Sequence, residues 1–162
     1  MERRSFVSAV GTVSALLFGS ESVGATNDSA SETREQCSGD YRPSPPAKTV
    51  LHLSSGESKA QHHALLNAKN LLKDDTVPVK ELVFVANGKG VTLYTPPNED
   101  NELYDFVTSL QERGVTFRAC GNAMEMLGLT EDDLIDGVEP VPSAVGELAR
   151  LQELEFGYMK TP

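Results

Sequence analysis

The chain has 162 residues, 14 of them Lys or Arg and 24 Asp or Glu, which leaves a formal net charge of -10 at pH 7. No Lys or Arg cluster follows Arg4, so nucleic acid and an anionic membrane surface are both excluded as natural partners, because either needs a basic face. The length accommodates one domain with a usable core, and the acidity describes a strongly solvated exterior that suits a salt-rich habitat.

The first residues, MERRSFVSAVGTVSALLFGSESVGA, divide into a basic start, an apolar segment from Phe6 to Phe18, and a polar region ending in small residues. That is the plan of an export signal. The apolar segment is about a dozen residues long where a bilayer span takes ~20, so a permanent membrane helix is not expected. Val23 and Ala25 are small residues placed for a cleavage after Ala25. Arg3-Arg4 followed by Ser5-Phe6-Val7 resembles a twin-arginine signal, whose substrates cross the membrane folded; an ordinary signal with two chance arginines is the alternative. Residues 1–25 are thus read as an exported leader, with the mature protein outside the membrane.

Residues 26–48, TNDSASETREQCSGDYRPSPPAK, hold almost no aliphatic side chains. They cannot bury enough apolar surface to offset the entropy of ordering, and are read as a polar tether. Cys37 lies inside it, and the preceding Arg34-Glu35-Gln36 are not the small and apolar residues of a lipid-attachment site.

From Thr49 to the end, apolar runs alternate with helix-period segments. TVLHL (49–53) predicts a strand, and Ser54 with Glu57 predicts a capping box. The helix that follows carries Ala60, Ala64, Leu65, Ala68, Leu71 and Leu72 on one face. VKELVFVA (79–86) predicts a second strand closed by a turn at Asn87-Gly88-Lys89-Gly90. Asn98 then caps a helix through Leu103, Phe106, Val107 and Leu110, ending at Gly114. VTFRA (115–119) predicts a third strand running into Cys120, followed by a short helix over 122–127 and a cap at Thr130 with Asp133. Residues 137–140 predict a fourth strand, Ser143 caps a helix through Val145, Leu148 and Leu151, and 158–160 predict an edge strand. Strands alternating with helices at this spacing describe an α/β domain over 49–162, with a mainly parallel sheet of five strands covered on both faces.

Ligands of such sheets bind beyond the carboxyl ends of the strands. Ser54, then Asn87, Gly88 and Lys89, then Cys120, Gly121 and Asn122, and finally Ser143 are delivered to that rim. Cys120, opening a helix, would feel the positive end of its dipole and unpaired amides, which favour thiolate; Lys89 would add a cation if its loop is adjacent. Gly121 lets backbone approach a bound group closely. Two other readings stay open: Cys120 as core packing, or as a disulfide partner of Cys37 in an oxidising compartment. His62 and His63 are helix neighbours that point to different faces, and His52 reads as a satisfied core residue. No His, Cys, Asp and Glu spacing makes a metal site. The Gly-rich NGKG turn lacks the full phosphate-loop pattern, so no cofactor is expected.

KTVLHLSSGE, LQERGVTFRACGNAMEMLGL and DLIDGVEPVPSAVGELARLQELEFGYMK together resemble the DsrE/DsrF-like proteins of intracellular sulfur metabolism. The similarity covers nearly all of 48–162. It implies a three-layer α/β/α sandwich, assembled into small homo-oligomers, in which a cysteine matching Cys120 accepts sulfur as a persulfide and passes it on. A small sulfur species or a sulfur-carrier protein would be the partner, and the activity would resemble that of a sulfurtransferase. Other members lack that cysteine, which leaves a non-catalytic binding or assembly module as the alternative. The acidity also resembles proteins of salt-loving archaea. Relay partners of the family are cytoplasmic, whereas this leader addresses the chain outward.

Overall fold

The computed structural model describes residues 44–95 and 102–162. The leader, most of the tether with Cys37, and Asn98 lie outside the described residues. Five strands, β1 (Ala47–Leu53), β2 (Val79–Ala86), β3 (Val115–Cys120), β4 (Val138–Val141) and β5 (Gly157–Lys160), form one sheet in the order β4-β3-β2-β1-β5. Every pairing is parallel. The α/β architecture expected from the alternating pattern is therefore present. β1 begins two residues before Thr49, because the Ala47 amide bonds the Pro78 carbonyl at 2.7 Å.

Four α-helices connect the strands: α1 (Ser58–Leu71), α2 (Glu102–Gln111), α3 (Gly121–Leu127) and α4 (Ala144–Glu153). The chain steps from β1 through β2 and β3 to β4 in one direction, then returns past β1 to β5. Right-handed crossovers put the first three helices on one face and, after the reversal, α4 on the other. The packing agrees: α1 and α2 touch each other and lie on β1 and β3, whereas α4 packs on β2, β3 and β5.

Strand alternation sorts the side chains accordingly. Leu51, Leu53, Phe84, Ala86, Phe117 and Ala119 face α1 and α2 and are fully buried. Phe117 is the hub of this layer, with Phe84 at 5.3 Å and Tyr94 edge-on at 5.7 Å between centroids. The Tyr94 hydroxyl donates to the Phe84 carbonyl at 3.1 Å, which satisfies the polar tip of a buried ring. Val50, Val83, Val85, Arg118 and Cys120 face α4. One helix cannot cover five strands, and all four residues of β5 are exposed.

Three local expectations need correction. The Ser54 capping box is absent: α1 is N-capped by Glu57 with no side-chain cap bond, because the Ser54 carbonyl accepts from the Gly90 amide and its hydroxyl from Lys160. The NGKG segment opens a 3-10 helix, Gly88–Tyr94, since Val91, Leu93 and Tyr94 behind it are buried and pull the chain onto the sheet. Val145, expected on the packed face of α4, is 71% exposed; the buried residues are Ala144, Glu147, Leu148 and Leu151. The cap at Thr130 and Asp133 is present as a full capping box.

Candidate functional site

The register places the candidate residues along one rim. Ala86 of β2 pairs with Leu53 on one side and Ala119 on the other, so Ser54, Asn87 and Cys120 are the next residues on three adjacent parallel strands. By alternation all three turn to the α4 face. Neighbouring strands lie about 4.8 Å apart, so Ser54 stands about 10 Å from Cys120 with Asn87 between them.

Cys120 is the last residue of β3 and the N-cap residue of α3. It holds a free thiol and is 6% exposed. Its Sγ accepts the Ala144 backbone N–H at 3.3 Å. Ala144 is the first residue of α4, and the Ser143 hydroxyl caps that helix by accepting from the Gly146 amide at 3.5 Å. The backbone donor reaching the sulfur thus comes from α4, 24 residues further along the chain. Gly121 makes the approach possible: a Cβ there would lie 3.1 Å from the Val141 carbonyl oxygen and 3.4 Å from that of Pro142, both backbone atoms of the segment leading into α4.

An ionic clamp holds α4 against β3. Arg118 bonds Glu139 of β4 at 3.0 Å and Glu147 of α4. Arg150 closes on the same Glu147 carboxylate with bonds of 2.7 and 2.9 Å. Those Arg150 hydrogen bonds, followed by the nearby Arg118 charge, hold the Glu147 carboxyl below its usual value despite burial. Neither Arg118 nor Glu147 stood out in the sequence as a site residue; the signal was an Arg in an otherwise apolar strand, VTFRA, with an acidic residue in the first turn of a later helix.

A second polar group occupies the other end of the rim. His52 Nε2 bonds Asn87 Oδ1 at 3.1 Å and His52 Nδ1 bonds the Tyr158 hydroxyl at 2.9 Å. His52 and Lys160 are register partners on β1 and β5, and Lys160 Nζ donates to the Ser54 hydroxyl. Burial lowers the His52 pKa, the Asn87 bond opposes this, and the Lys160 charge lowers it further. His52 is thus satisfied on both nitrogens, though half-buried at the rim and not in the core. Tyr158 and Lys160 were legible only as part of an edge strand, yet their spacing of two matches that of His52 and Ser54 on the neighbouring strand.

The remaining candidates sit on the same rim. Gly88 is exposed and left-handed, with a φ of 50°. Lys89 is exposed and packs beside Gly56, where a Cβ would lie 2.8 Å from the Lys89 Cβ. That puts Lys89 against the loop after β1, and no hydrogen bond among the described residues joins it to Cys120, whose sulfur accepts from Ala144. Asn122 is exposed in the first turn of α3. Among the described residues no group of three His, Cys, Asp or Glu could hold a metal ion, and no helix is long and apolar enough to cross a membrane.

A scan against family models matches residues 48–160 to the DsrE/DsrF-like family. The chain belongs to the DsrE/DsrF-like family. Solved structures share its fold, and two of them illustrate the range. A protein of unknown function from Methanobacterium thermoautotrophicum, MTH1491, is 29% identical with a TM-score of 0.62, covering 70% of this chain and 98% of its own. The ychN protein from E. coli is 20% identical with a TM-score of 0.56 over the same shares, a likeness that concerns the fold alone. No curated protein matches. Within this DsrE/DsrF-like domain, Cys120 and the His52 group occupy the two ends of one rim.

Proposed function

We propose that the protein is a sulfur carrier in which Cys120 takes a sulfur atom from a small persulfide donor and passes it to an acceptor. The observation that carries this reading is the Ala144 amide directed at Cys120 Sγ from the start of α4. A backbone donor at a helix N-terminus favours negative charge on sulfur, both in the attacking thiolate and in the persulfide that results. In the step itself the thiolate attacks the outer sulfur of a donor R–S–SH; an S–S bond forms on Cys120, the donor's S–S bond breaks, and the donor leaves as R–S⁻. Electrons and atoms balance without an external oxidant. Asn87, one strand away, and the exposed Asn122 on α3 supply side-chain amides that hold the donor, Lys89 supplies a cation to the rim, and Ser54, Gly88 and Gly121 complete it.

The same reading places the folded domain outside the membrane, delivered through a twin-arginine-type leader at 1–25 and a polar linker at 26–48, and working as a homo-oligomer. Family membership supports sulfur handling; the location rests on the leader sequence.

The experiment is exposure of the full chain to a persulfide donor or to thiosulfate, followed by mass analysis. The expected result is the gain of one sulfur atom on Cys120 and none in Cys120→Ala. No gain, together with a Cys120 thiol inert to alkylation in the folded protein, overturns the carrier reading.

One observation favours a second reading. Cys120 is 6% exposed and belongs to the hydrophobic core cluster, as a packing residue in a non-catalytic binding or assembly module would. In that case Cys120→Ser lowers stability and leaves oligomerisation intact.

A further inference from the structure

We infer that the carboxyl ends of β1 and β5 form a binding site for a small oxoanion of the sulfate or phosphate type, with Lys160 as its cation and Ser54 as its hydroxyl donor. This does not rest on Cys120 carrying sulfur. The chain carries an excess of ten negative charges, and its Lys48, Arg118 and Arg150 side chains are paired with carboxylates. Lys160, like the exposed Lys73 and Lys89, has no carboxylate partner among the described residues, but it differs from them in lying beside His52 on the sheet face with the Ser54 hydroxyl as its partner.

The donors left over are adjacent. An ammonium has three N–H groups, and the Ser54 bond uses one. A hydroxyl that accepts from an ammonium keeps its own proton to give away, so Ser54 presents an O–H beside the two remaining N–H groups. The neighbouring His52 does not compete. Asn87 Oδ1 can only accept, so Nε2 carries a ring proton, while Nδ1 accepts from the Tyr158 hydroxyl in the neutral ring and donates to it in the charged one. Both His52 nitrogens are therefore occupied, one toward Asn87 after β2 and one toward Tyr158 on β5. Burial lowers the Lys160 pKa, so this ammonium gains from any counter-anion that reaches it.

The test is titration of the full chain with inorganic sulfate and with inorganic phosphate at low ionic strength, followed by calorimetry and by the His52 ring resonances. Saturable binding is expected, with a rise in the His52 pKa as the anion offsets the Lys160 charge. Lys160→Gln should weaken binding about tenfold, the scale of one charge-assisted hydrogen bond. Lys73→Gln, an exposed lysine beyond the end of α1, removes the same charge elsewhere and should leave affinity within about twofold. Absence of saturable binding, or equal weakening by the two lysine variants, overturns the proposal. Should Lys160→Gln fail to fold by circular dichroism, Ser54→Ala decides: reduced affinity supports the site and unchanged affinity overturns it. Sulfur loading of Cys120 is read separately by mass, so the two proposals fail independently.

Discussion

The Ala144 backbone N–H points at Cys120 Sγ across 3.3 Å, joining the end of β3 to the start of α4. The contact has both a structural and a chemical consequence, and substitution separates them. Cys120→Ala removes the sulfur and orphans a buried amide, so a loss of about 1 kcal/mol in urea unfolding is expected. Cys120→Ser keeps an acceptor for the same amide and should unfold closer to the native protein. Neither variant should gain sulfur from a persulfide donor. A serine variant that becomes labelled at another residue would move the chemistry away from this contact.

Gly121 sets how closely α4 approaches the sulfur. Its missing Cβ would meet the carbonyl oxygens of Val141 and Pro142, and backbone atoms cannot swing aside as a flexible side chain does. Gly121→Ala is expected to cost about 1 to 2 kcal/mol through overpacking. It should also slow sulfur loading of Cys120, because the Ala144 amide is pushed back. An unchanged loading rate in a folded Gly121→Ala protein would mean that this amide contributes nothing to reactivity.

Glu147 is the pin that both Arg118 and Arg150 grip. Replacing it with Gln leaves Arg118 with Glu139 alone, and a loss of about 3 kcal/mol is expected from breaking a largely buried ion pair. Equilibrium unfolding in urea measures this directly. A loss comparable to that of an exposed surface substitution would show that the clamp is solvated in solution.

The same carboxylate sets an acid limb in the stability profile. In the unfolded chain Glu147 titrates near its ordinary value of 4.5, and in the folded chain lower, held down first by the Arg150 hydrogen bonds and then by the Arg118 charge. A depressed carboxyl contributes its full stability above the unfolded value and loses it as pH falls through the folded value. Stability measured on descending from pH 6 should therefore decline below about 4.5, and Glu147→Gln should decline less steeply. Parallel profiles for the two proteins would assign the acid limb to other groups.

Much of the sheet was readable because each strand is written in one short segment. VTFRA and VKELVFVA are mostly apolar segments bounded by turn residues, as strands of a parallel sheet covered by helices on both faces are. The location of Cys120 followed from the end of such a run. Its hydrogen-bond donor did not, since Ala144 is distant in sequence and enters only through the return of the chain across the opposite face. The His52 group was hidden for the same reason: His52 and Tyr158 are 106 residues apart, and strand order between β1 and β5 is a topological fact that local periodicity does not encode. Ser54 reads as a cap because Ser-x-x-Glu is a local signal, whereas Lys160 and Gly90 claim its polar groups from elsewhere in the chain.

The two margins of the sheet are not equivalent. β4 carries Pro140, and proline sits in a margin strand with its missing N–H toward solvent, which deprives an incoming strand of a donor. Among the described residues nothing pairs with the outer side of β5, which has no proline in Gly157–Lys160. Copies that associate strand to strand therefore have one usable margin each. Among the described residues β5 is thus the margin whose backbone is left free of proline, and β4 the one that proline protects against strand addition.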